Sequence, residues 1–517
     1  MAADIASLSG ELAQALLQVW SHARAPAGSR AGTLAGAPPG FQASQGDLPA
    51  DLRAKTLLHI ADSLGIALAA RGTDLGRQVI DALQAGHGEG ACGLIGGGRA
   101  APLAAAFINS ALIHILDYDD IHDLGRLHPS TCVLPAALAA ASLAGATDEE
   151  VVDAVALGNE LVCRLGVICA PQGEGPGSEW FLTQLFGYLG AGMAAGLVLK
   201  LDQRQLVSTL GLAYMQLAGG KEAGFGTGAT ARGLYPAFAA QGGLQAALLA
   251  RAGVTGPAGA LDGAVGLFRL YLTGALAPRQ RAMLLDFSQW HARQVDIKPW
   301  PSCRLSHPYI AVALAARATS LAHPAARVRV AVNPSSGRLC RPLAQRRRPV
   351  TLQDAKYSIP FMTAYTLVHG APTLQGFSSQ VLSDKDVLHM AERIELEDGL
   401  PDNPGHPPAV LALLDGEQVL QQSRFVAQDL GVDALQARAK FDDCLDFADA
   451  GAENSAAGGT AKDAAEGTAK GTAKRAAKDM ADGGGDRAGR DGQAGALWDA
   501  IMEGRVLAAF DMAYKDA

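Results

Sequence analysis

The densest cluster of side chains that could transfer protons lies in the segment HILDYDDIHDLGRLHPS (114–130). Its histidines and aspartates are His114, Asp117, Asp119, Asp120, His122, Asp123 and His128. A histidine beside a carboxylate can take up and release a proton near neutral pH. If the preceding helix persists, Asp117 and Asp120 share one face as i, i+3 neighbours. Composition alone favours an acid–base site and a solvent-exposed polar helix end about equally.

Two further segments carry cations that could bind an anionic ligand. KPWPSCRLSHP (298–308) contains Lys298 and Cys303, and its prolines exclude a regular helix. GTGATARGLYPAFAAQGG (226–243) is rich in glycine but matches neither a Walker nor a dinucleotide-binding pattern. The segment is therefore not a phosphate-binding loop, but Arg232 suits two-point binding of a carboxylate. On this basis an ordinary hinge is as acceptable as a binding site for residues 298–308. An exposed loop arginine is as acceptable as a binding residue for Arg232.

The overall composition restricts the class of protein. The 517 residues carry a net charge of -8, which argues against a nucleic-acid-binding surface. The seven cysteines form no CxxC pair and no regular framework, as expected for a reduced, cytoplasmic protein.

Two apolar segments could suggest a membrane or secretion signal. The first residues, MAADIASLSGELAQALL, lack a basic region and resemble an amphipathic helix instead of a signal peptide. The run from Phe181 to Leu199 contains Thr183, Gln184 and four glycines, which favours a buried helix over a membrane span. We therefore expect no membrane association.

Apolar periodicity predicts helices in the first half of the chain and strands in the second. Residues from about 50 to 280 place apolar side chains at helical spacing. RVRVAVN (327–333) and RIELEDGL (393–400) alternate as half-buried strands do. AVLALLDGEQVLQQSRF (409–425) has Asp415-Gly416 between two apolar runs, which predicts a hairpin.

These patterns predict a mainly α-helical large domain and a smaller α+β domain. The large domain comprises residues 1–296 together with 432–517, because an amphipathic helix returns at 497–510. The smaller domain comprises residues 297–431. Residues 451–495 repeat GTAK and carry too few apolar side chains to offset the entropy of ordering, so we predict a disordered insert there.

Taken in order, these segments resemble the MmgE/PrpD family over most of residues 50–445. The most specific match is AAFINSALIHILDYDDIHDLGRLHPSTCVLPAALA (105–139), which is similar to the family pattern N-x-A-x-x-H-x-x-D-[FY]-D-D followed by His-Pro-Ser. The segments KPWPSCRLSHP and DAKYSIPFMTAYTLVHG also have counterparts in the family. Its members include 2-methylcitrate dehydratase, cis-aconitate decarboxylase and iminodisuccinate epimerase.

The resemblance implies a homodimer in which a lid domain closes a cleft on the helical domain. It implies a cofactor-free and metal-free lyase or isomerase that abstracts a proton next to a carboxylate of a small di- or tricarboxylic acid. The catalytic residues that it implies are Asp117, His128 and Lys298, with His128 oriented by Asp117. The substrate-binding residues that we assign within the matching segments are His122, Thr183, Arg232 and Cys303.

Three positions differ from the better-known members of the family. Phe181 and Cys303 stand where histidines occur, and Arg232 stands where a lysine occurs. The differences favour the general proton chemistry of the family over methylcitrate dehydration or aconitate decarboxylation in particular.

Two other functional classes compete with this interpretation. His122-Asp123 is a literal HD pair, which could indicate a metal-dependent phosphohydrolase. The replacement at Phe181 could instead indicate a catalytically silent relative with a binding role. Retention of Asp117, His128 and Lys298 argues against the silent relative.

Overall fold

The structure is a computed structural model and describes residues 7–24, 48–169, 179–224, 229–271, 274–403, 407–425, 430–458 and 484–515. In chain order, the α-helices of these residues are α1 (Leu8–Arg24), α2 (Ala50–Arg71), α3 (Asp74–His87), α4 (Pro102–His114), α5 (Ser130–Ala144), α6 (Asp148–Cys169), α7 (Leu182–Val198), α8 (Gln203–Tyr214), α9 (Tyr235–Arg251), α10 (Leu267–Tyr271), α11 (Pro278–Leu285), α12 (His307–Ala322), α13 (Pro334–Gly337), α14 (Leu343–Arg347), α15 (Leu352–Lys356), α16 (Ile359–His369), α17 (Lys385–Glu392), α18 (Ala434–Gly458), α19 (Gly484–Met502) and α20 (Val506–Lys515). The strands are β1 (Cys92–Gly93), β2 (Arg99–Ala100), β3 (Ile121–His122), β4 (Val295–Asp296), β5 (Arg327–Val332), β6 (Ile394–Asp398), β7 (Ala409–Asp415) and β8 (Gln418–Phe425).

Helix α7 lies at the centre of the helical domain, and all of its residues are buried. Its glycines allow neighbouring helices to come unusually close. A Cβ atom at Gly190 would lie 2.2 Å from Cγ2 of Val162 on α6, and one at Gly187 would lie 2.6 Å from Sγ of Cys132 on α5. A side chain at either position would separate the helices. Because every residue of α7 is buried, the prediction of a buried helix in this apolar run is confirmed.

The smaller domain contains a four-stranded sheet with the order β6-β5-β7-β8. Strand β5 pairs in parallel with β6 and antiparallel with β7, and β7 and β8 form a hairpin. Side chains of β5 alternate between half-buried and buried, as its sequence predicts. Gly416 at the hairpin turn has φ +56°, a conformation that glycine adopts at low cost. Both predicted strands and the predicted hairpin are confirmed.

Each domain has its own hydrophobic core. The larger core joins the helices before residue 298 to the C-terminal helices, through side chains such as Phe441, Trp498 and Phe510. The smaller core surrounds the sheet and includes Val328 and Phe361. A mainly helical large domain with a smaller α+β domain is therefore confirmed as the fold. The boundaries at 296/297 and 431/432 stay predictions.

Helix is present at both ends of the insert that the sequence predicts to be disordered. Helix α18 continues to Gly458, and α19 begins at Gly484. Alanine, which is frequent there, has the highest helix propensity of all residues. Residues 459–483 lie outside the described residues, so their disorder stays a prediction.

None of the helices in the described part of the chain has both the length and the apolar character needed to cross a membrane.

Candidate active site

A backbone turn after α4 carries the central carboxylates of the site. The helix ends at His114, and the N–H of Asp117 donates to the His114 carbonyl at 2.8 Å. Asp117 has φ +55°, in the left-handed region that aspartate tolerates better than most residues. The expectation that Asp117 and Asp120 share a helix face is therefore wrong, because the helix ends before either residue.

Lys298 reaches this turn from the junction between the domains. Strands β3 and β4 pair Ile121 with Asp296, which brings residue 298 beside the turn. The Lys298 ammonium donates to Oδ1 of Asp117 at 2.8 Å and to its carbonyl at 2.9 Å. The lysine is fully buried and lies behind Asp117.

Charge pairing holds both groups ionised. Burial raises the pKa of Asp117, but Lys298, His114 and His128 together lower it below its ordinary value. Burial lowers the pKa of Lys298, but Asp117 and Asp119 raise it above its ordinary value. The result is a fixed carboxylate–ammonium pair beneath the cavity.

His128 is held by backbone and hydroxyl groups. Its Nδ1 lies 2.6 Å from the Asp120 carbonyl, and its main-chain N–H donates to Oγ1 of Thr183 at 2.9 Å. The nearest carboxylate belongs to Asp119, whose Oδ2 lies 3.6 Å from Nδ1 of His128 and 2.8 Å from Nδ1 of His114. Orientation of His128 by Asp117 is therefore wrong, because Nδ1 of His128 binds the Asp120 carbonyl and the carboxylate beside it is that of Asp119.

This hydrogen bond determines which nitrogen of His128 can act as a base. A carbonyl only accepts, so Nδ1 carries the proton and Nε2 carries the lone pair. Burial, Lys298 and His114 lower the pKa of His128 to about 4, against the opposing effect of Asp119. His128 is therefore a neutral base at physiological pH.

We expect the His128 ring to titrate near pH 4 instead of near 6.5. The buried site disfavours the charged imidazolium. The measurement is an NMR titration of histidine-labelled protein, with His128→Asn identifying the signal. A midpoint near 6.5 for His128 would contradict the burial argument.

A cavity of about 220 Å³ lies between the two domains, and Asp117 and His128 face it. Positive side chains dominate its charged lining, namely Arg126, Lys221, Arg232, Arg304 and Arg338. Arg304 is neutralised by a two-point contact with Asp123, at 3.0 Å from Nε to Oδ1 and 2.7 Å from Nη2 to Oδ2. Burial and the neighbouring arginines Arg126, Arg338 and Arg232 lower the pKa of Lys221 to about 8. The cavity therefore attracts anions.

Arg232 is held between aromatic rings at the wall of this cavity. Its guanidinium carbon lies 3.2 Å from the centre of the Tyr357 ring and 5.3 Å from that of Phe181. Phe181 in turn stacks on Tyr235 at 4.2 Å. Two buried atoms of the cavity, Nε of Arg232 and Oδ2 of Asp117, have no hydrogen-bond partner among the described residues. Such orphaned polar atoms are expected where a ligand supplies the partner.

The structure brings together most of the site residues predicted from the sequence. Asp117, His128, Thr183, Arg232 and Cys303 line the cavity, and Lys298 supports Asp117 from behind. Burial raises the pKa of the Cys303 thiol, which keeps it protonated.

His122 lies outside this group. It is fully buried, its Nδ1 accepts from the Gly125 N–H at 2.9 Å and its Nε2 lies 3.1 Å from the His291 carbonyl. Both ring nitrogens therefore bind the backbone, and His122 has no place in the cavity. The HD interpretation loses its support, since Asp123 is also engaged, by Arg304.

The sequence analysis gave no role to several residues that line the cavity. Tyr235 and Tyr357 form the aromatic wall, and Arg126, Lys221 and Arg338 form the cationic lining. Asp119 stood in the predicted cluster without a role. Arg126 and Tyr235 have a local signal, because they lie in the same segments as His128 and Arg232, and Tyr357 lies in the family-like segment 354–370.

A helical domain with an acid–base group at its junction with an α+β domain is the arrangement that the MmgE/PrpD resemblance predicts. Residues 41–280 match the family model of the MmgE/PrpD N-terminal domain, and residues 300–445 match that of the C-terminal domain. The chain belongs to the MmgE/PrpD family.

Curated relatives match with modest identity. Cis-aconitate decarboxylase of Aspergillus terreus is 28% identical over 272 residues, which cover 50% of this chain and 55% of that protein. Cis-aconitate decarboxylase-like protein oryM of Aspergillus oryzae is 28% identical over 407 residues, 72% of this chain and 82% of that protein. Cis-aconitate decarboxylase of Homo sapiens is 27% identical over 319 residues, 59% and 63% of the two chains. The first of these alignments thus spans about half the length of the relative.

Proposed function

We propose that this protein is a lyase or isomerase of the MmgE/PrpD type that moves a proton on a carbon beside a carboxylate of a small di- or tricarboxylic acid. One observation carries the proposal above all. The Asp120 carbonyl fixes the protonated Nδ1 of His128, so that a neutral ring with its lone pair on Nε2 lies at a cation-lined cavity.

The proposed chemistry uses the side chains of the protein alone. Nε2 of His128 takes the proton from the carbon, and the electron pair of the C–H bond moves onto the adjacent carboxylate. The Arg232 guanidinium stabilises the two negative charges that this carboxylate then carries. Loss of a group from the neighbouring carbon completes an elimination, whereas protonation of the opposite face of the carbon by a second donor completes an epimerisation.

Charge in the cavity supports a substrate with more than one carboxylate. Arg126, Lys221 and Arg338 line the cavity in addition to Arg232. Arg126, Arg338 and Arg232 each contribute to lowering the pKa of Lys221. The positive groups of the cavity are therefore close enough to interact. Ligands with two or three carboxylates would relieve this repulsion.

The names of the relatives support a small carboxylic acid as substrate. Phe181, which stands where better-known members have a histidine, stacks on Tyr235 and contributes an apolar ring to the cavity wall. The proposal therefore keeps the proton transfer and leaves cis-aconitate itself as one acid to be tested among several. The alternative is a catalytically silent relative with a binding role, which would bind such an acid without exchanging its hydrogen.

Incorporation of deuterium from heavy water tests the function directly. The acids are cis-aconitate, citrate, malate and aspartate, each incubated with the protein and followed by NMR and mass spectrometry. We expect deuterium at a carbon next to a carboxylate in at least one acid or its product. Binding without exchange for every acid in the panel would favour the silent relative.

Arg232→Ala is expected to lower kcat/KM on the order of a hundredfold, because it removes the cation beside the developing charge. Arg232→Lys should retain measurable activity with a raised KM, since a point charge replaces a planar two-pronged donor. The measurement is steady-state kinetics with the acid that exchanges fastest. The control is Arg251→Ala, at an exposed arginine that ends α9. Unchanged kinetics in Arg232→Ala would remove this residue from the site.

We further propose a cytoplasmic homodimer, as the family resemblance implies. Light scattering of the purified protein measures the oligomeric state.

A further inference from the structure

Four consecutive carbonyl groups after α4 each accept a hydrogen bond from a distant side chain. The donor–acceptor pairs are Gln353 Nε2 to Ile115 at 3.2 Å, Lys356 Nζ to Leu116 at 2.6 Å, Lys298 Nζ to Asp117 at 2.9 Å and Lys440 Nζ to Tyr118 at 2.7 Å. These carbonyls lie just beyond the C-terminal end of α4, where the helix dipole carries partial negative charge and attracts cations.

All three lysines in this set are removed from solvent. Their exposed fractions are 0% for Lys298, 5% for Lys356 and 6% for Lys440. Burial of an ammonium group is unfavourable unless hydrogen bonds and charges compensate for the lost water. Lys440 is compensated by Asp62, whose Oδ1 lies 2.7 Å from Nζ, and by the Tyr118 ring, whose centre is 3.8 Å away.

Lys356 differs from the other two lysines because it donates to the Leu116 carbonyl and pairs with no carboxylate among the described residues. Burial lowers its pKa to about 8, against the opposing effect of Asp117. Its own carbonyl accepts from the N–H of Cys303 at 3.1 Å, which links the turn to the junction segment of the cavity wall. The short helix α15 therefore contacts the turn and the cavity wall at once.

The donors come from three separate parts of the chain. Gln353 and Lys356 belong to the smaller domain, Lys298 follows β4 at the junction, and Lys440 belongs to α18 after the smaller domain. The left-handed backbone at Asp117 is uncommon for a residue with a side chain, and such conformations persist where the surroundings hold them. The carbonyl contacts supply that hold.

We propose that Lys356 and Lys440 are positioning residues for the reaction, because together with Lys298 they fix the turn that presents Asp117 to the cavity. This inference rests on the proposed function for its kinetic consequences. Lys356 adds a dependence on domain arrangement, since it can fix the turn only while the smaller domain is packed against the helical one.

The test compares Lys356→Met and Lys440→Met with Lys385→Met, at an exposed lysine that begins α17. Methionine keeps the length of the side chain and removes the donor. We expect the turnover number of the first two variants to fall about a hundredfold, as small misplacements of catalytic groups can cause, with KM nearly unchanged. Lys356→Arg, which restores a donor, should recover part of the loss. Lys385→Met should match the wild type.

A measurement without substrate separates this inference from the proposed function. Hydrogen–deuterium exchange of the peptide covering residues 115–121 should be faster in Lys356→Met and Lys440→Met than in the wild type. Wild-type exchange together with wild-type turnover would overturn the inference. If the wild type converts none of the tested acids, the proposed function fails, and the exchange rates alone decide whether the lysines hold the turn. If Lys356→Met does not fold, Lys356→Arg takes its place. A folded Lys356→Arg with a wild-type exchange rate but no turnover would overturn the inference, because the loss of activity would then not come from a loosened turn.

Discussion

Replacing His128 with alanine should reduce exchange of substrate hydrogen on the order of a thousandfold, within the usual range for loss of a general acid–base group. Binding of the acid should change little, because the cations of the cavity remain in place. The expectation follows from the fixed ring, whose Nδ1 lies 2.6 Å from the Asp120 carbonyl and whose Nε2 is left as the base. Exchange is followed by NMR in heavy water, and binding is measured by calorimetry.

His323→Ala is the matched control, since it removes an exposed histidine far from the turn in sequence. Its exchange rate and affinity should equal those of the wild type. Should His128→Ala exchange at the wild-type rate, the base must be another group. Asp117 would then be the next candidate, because it lines the cavity and its Oδ2 has no hydrogen-bond partner among the described residues.

Replacing Lys298 with methionine should lower the free energy of unfolding by about 3–5 kcal/mol and abolish most of the activity. The ammonium is fully buried and donates to both the carboxylate and the carbonyl of Asp117. Its loss leaves a buried carboxylate without its cation, which is the costly form of a broken ion pair. Urea unfolding at neutral pH measures the stability, and kinetics with the fastest-exchanging acid measure the turnover.

A double-mutant cycle identifies the origin of this loss. Asparagine tolerates the left-handed backbone at residue 117 and carries no charge. The variant Lys298→Met/Asp117→Asn should therefore be more stable than the sum of the single changes predicts, while activity stays low. Additive effects on stability would show that the pair is not coupled.

Local patterns in the sequence predicted the fold well, because they follow from short-range rules. The alternation in 327–333 and the Asp415-Gly416 turn specify a strand and a hairpin within a few residues, and both are present. The end of α4 was not predictable in this way. Apolar residues continue to Leu116, whereas the helix stops at His114 where the backbone turns toward the left-handed conformation of Asp117.

Short-range patterns also predicted the candidate site only in part. Asp117 and His128 fall within one segment of mixed histidine and aspartate, so their chemistry is visible in the sequence. Their partners depend on the direction in which each side chain leaves the turn, and that direction follows from backbone angles. Lys356 lies in the family-like segment 354–370 and Lys440 in an ordinary helical segment. Neither is marked as a donor to the turn, and only packing brings them to carbonyls more than two hundred residues earlier.

The position of Lys440 has a consequence for the order in which the protein is made. A chain emerges from the ribosome N-terminal end first, and domains begin to fold as they emerge. The turn around Asp117 is synthesised early, but the ammonium that binds the Tyr118 carbonyl arrives only after the whole smaller domain has been translated. Until residue 440 is present, Asp62 also lacks this buried partner. A nascent chain that has completed its smaller domain therefore still has an unfinished turn around Asp117.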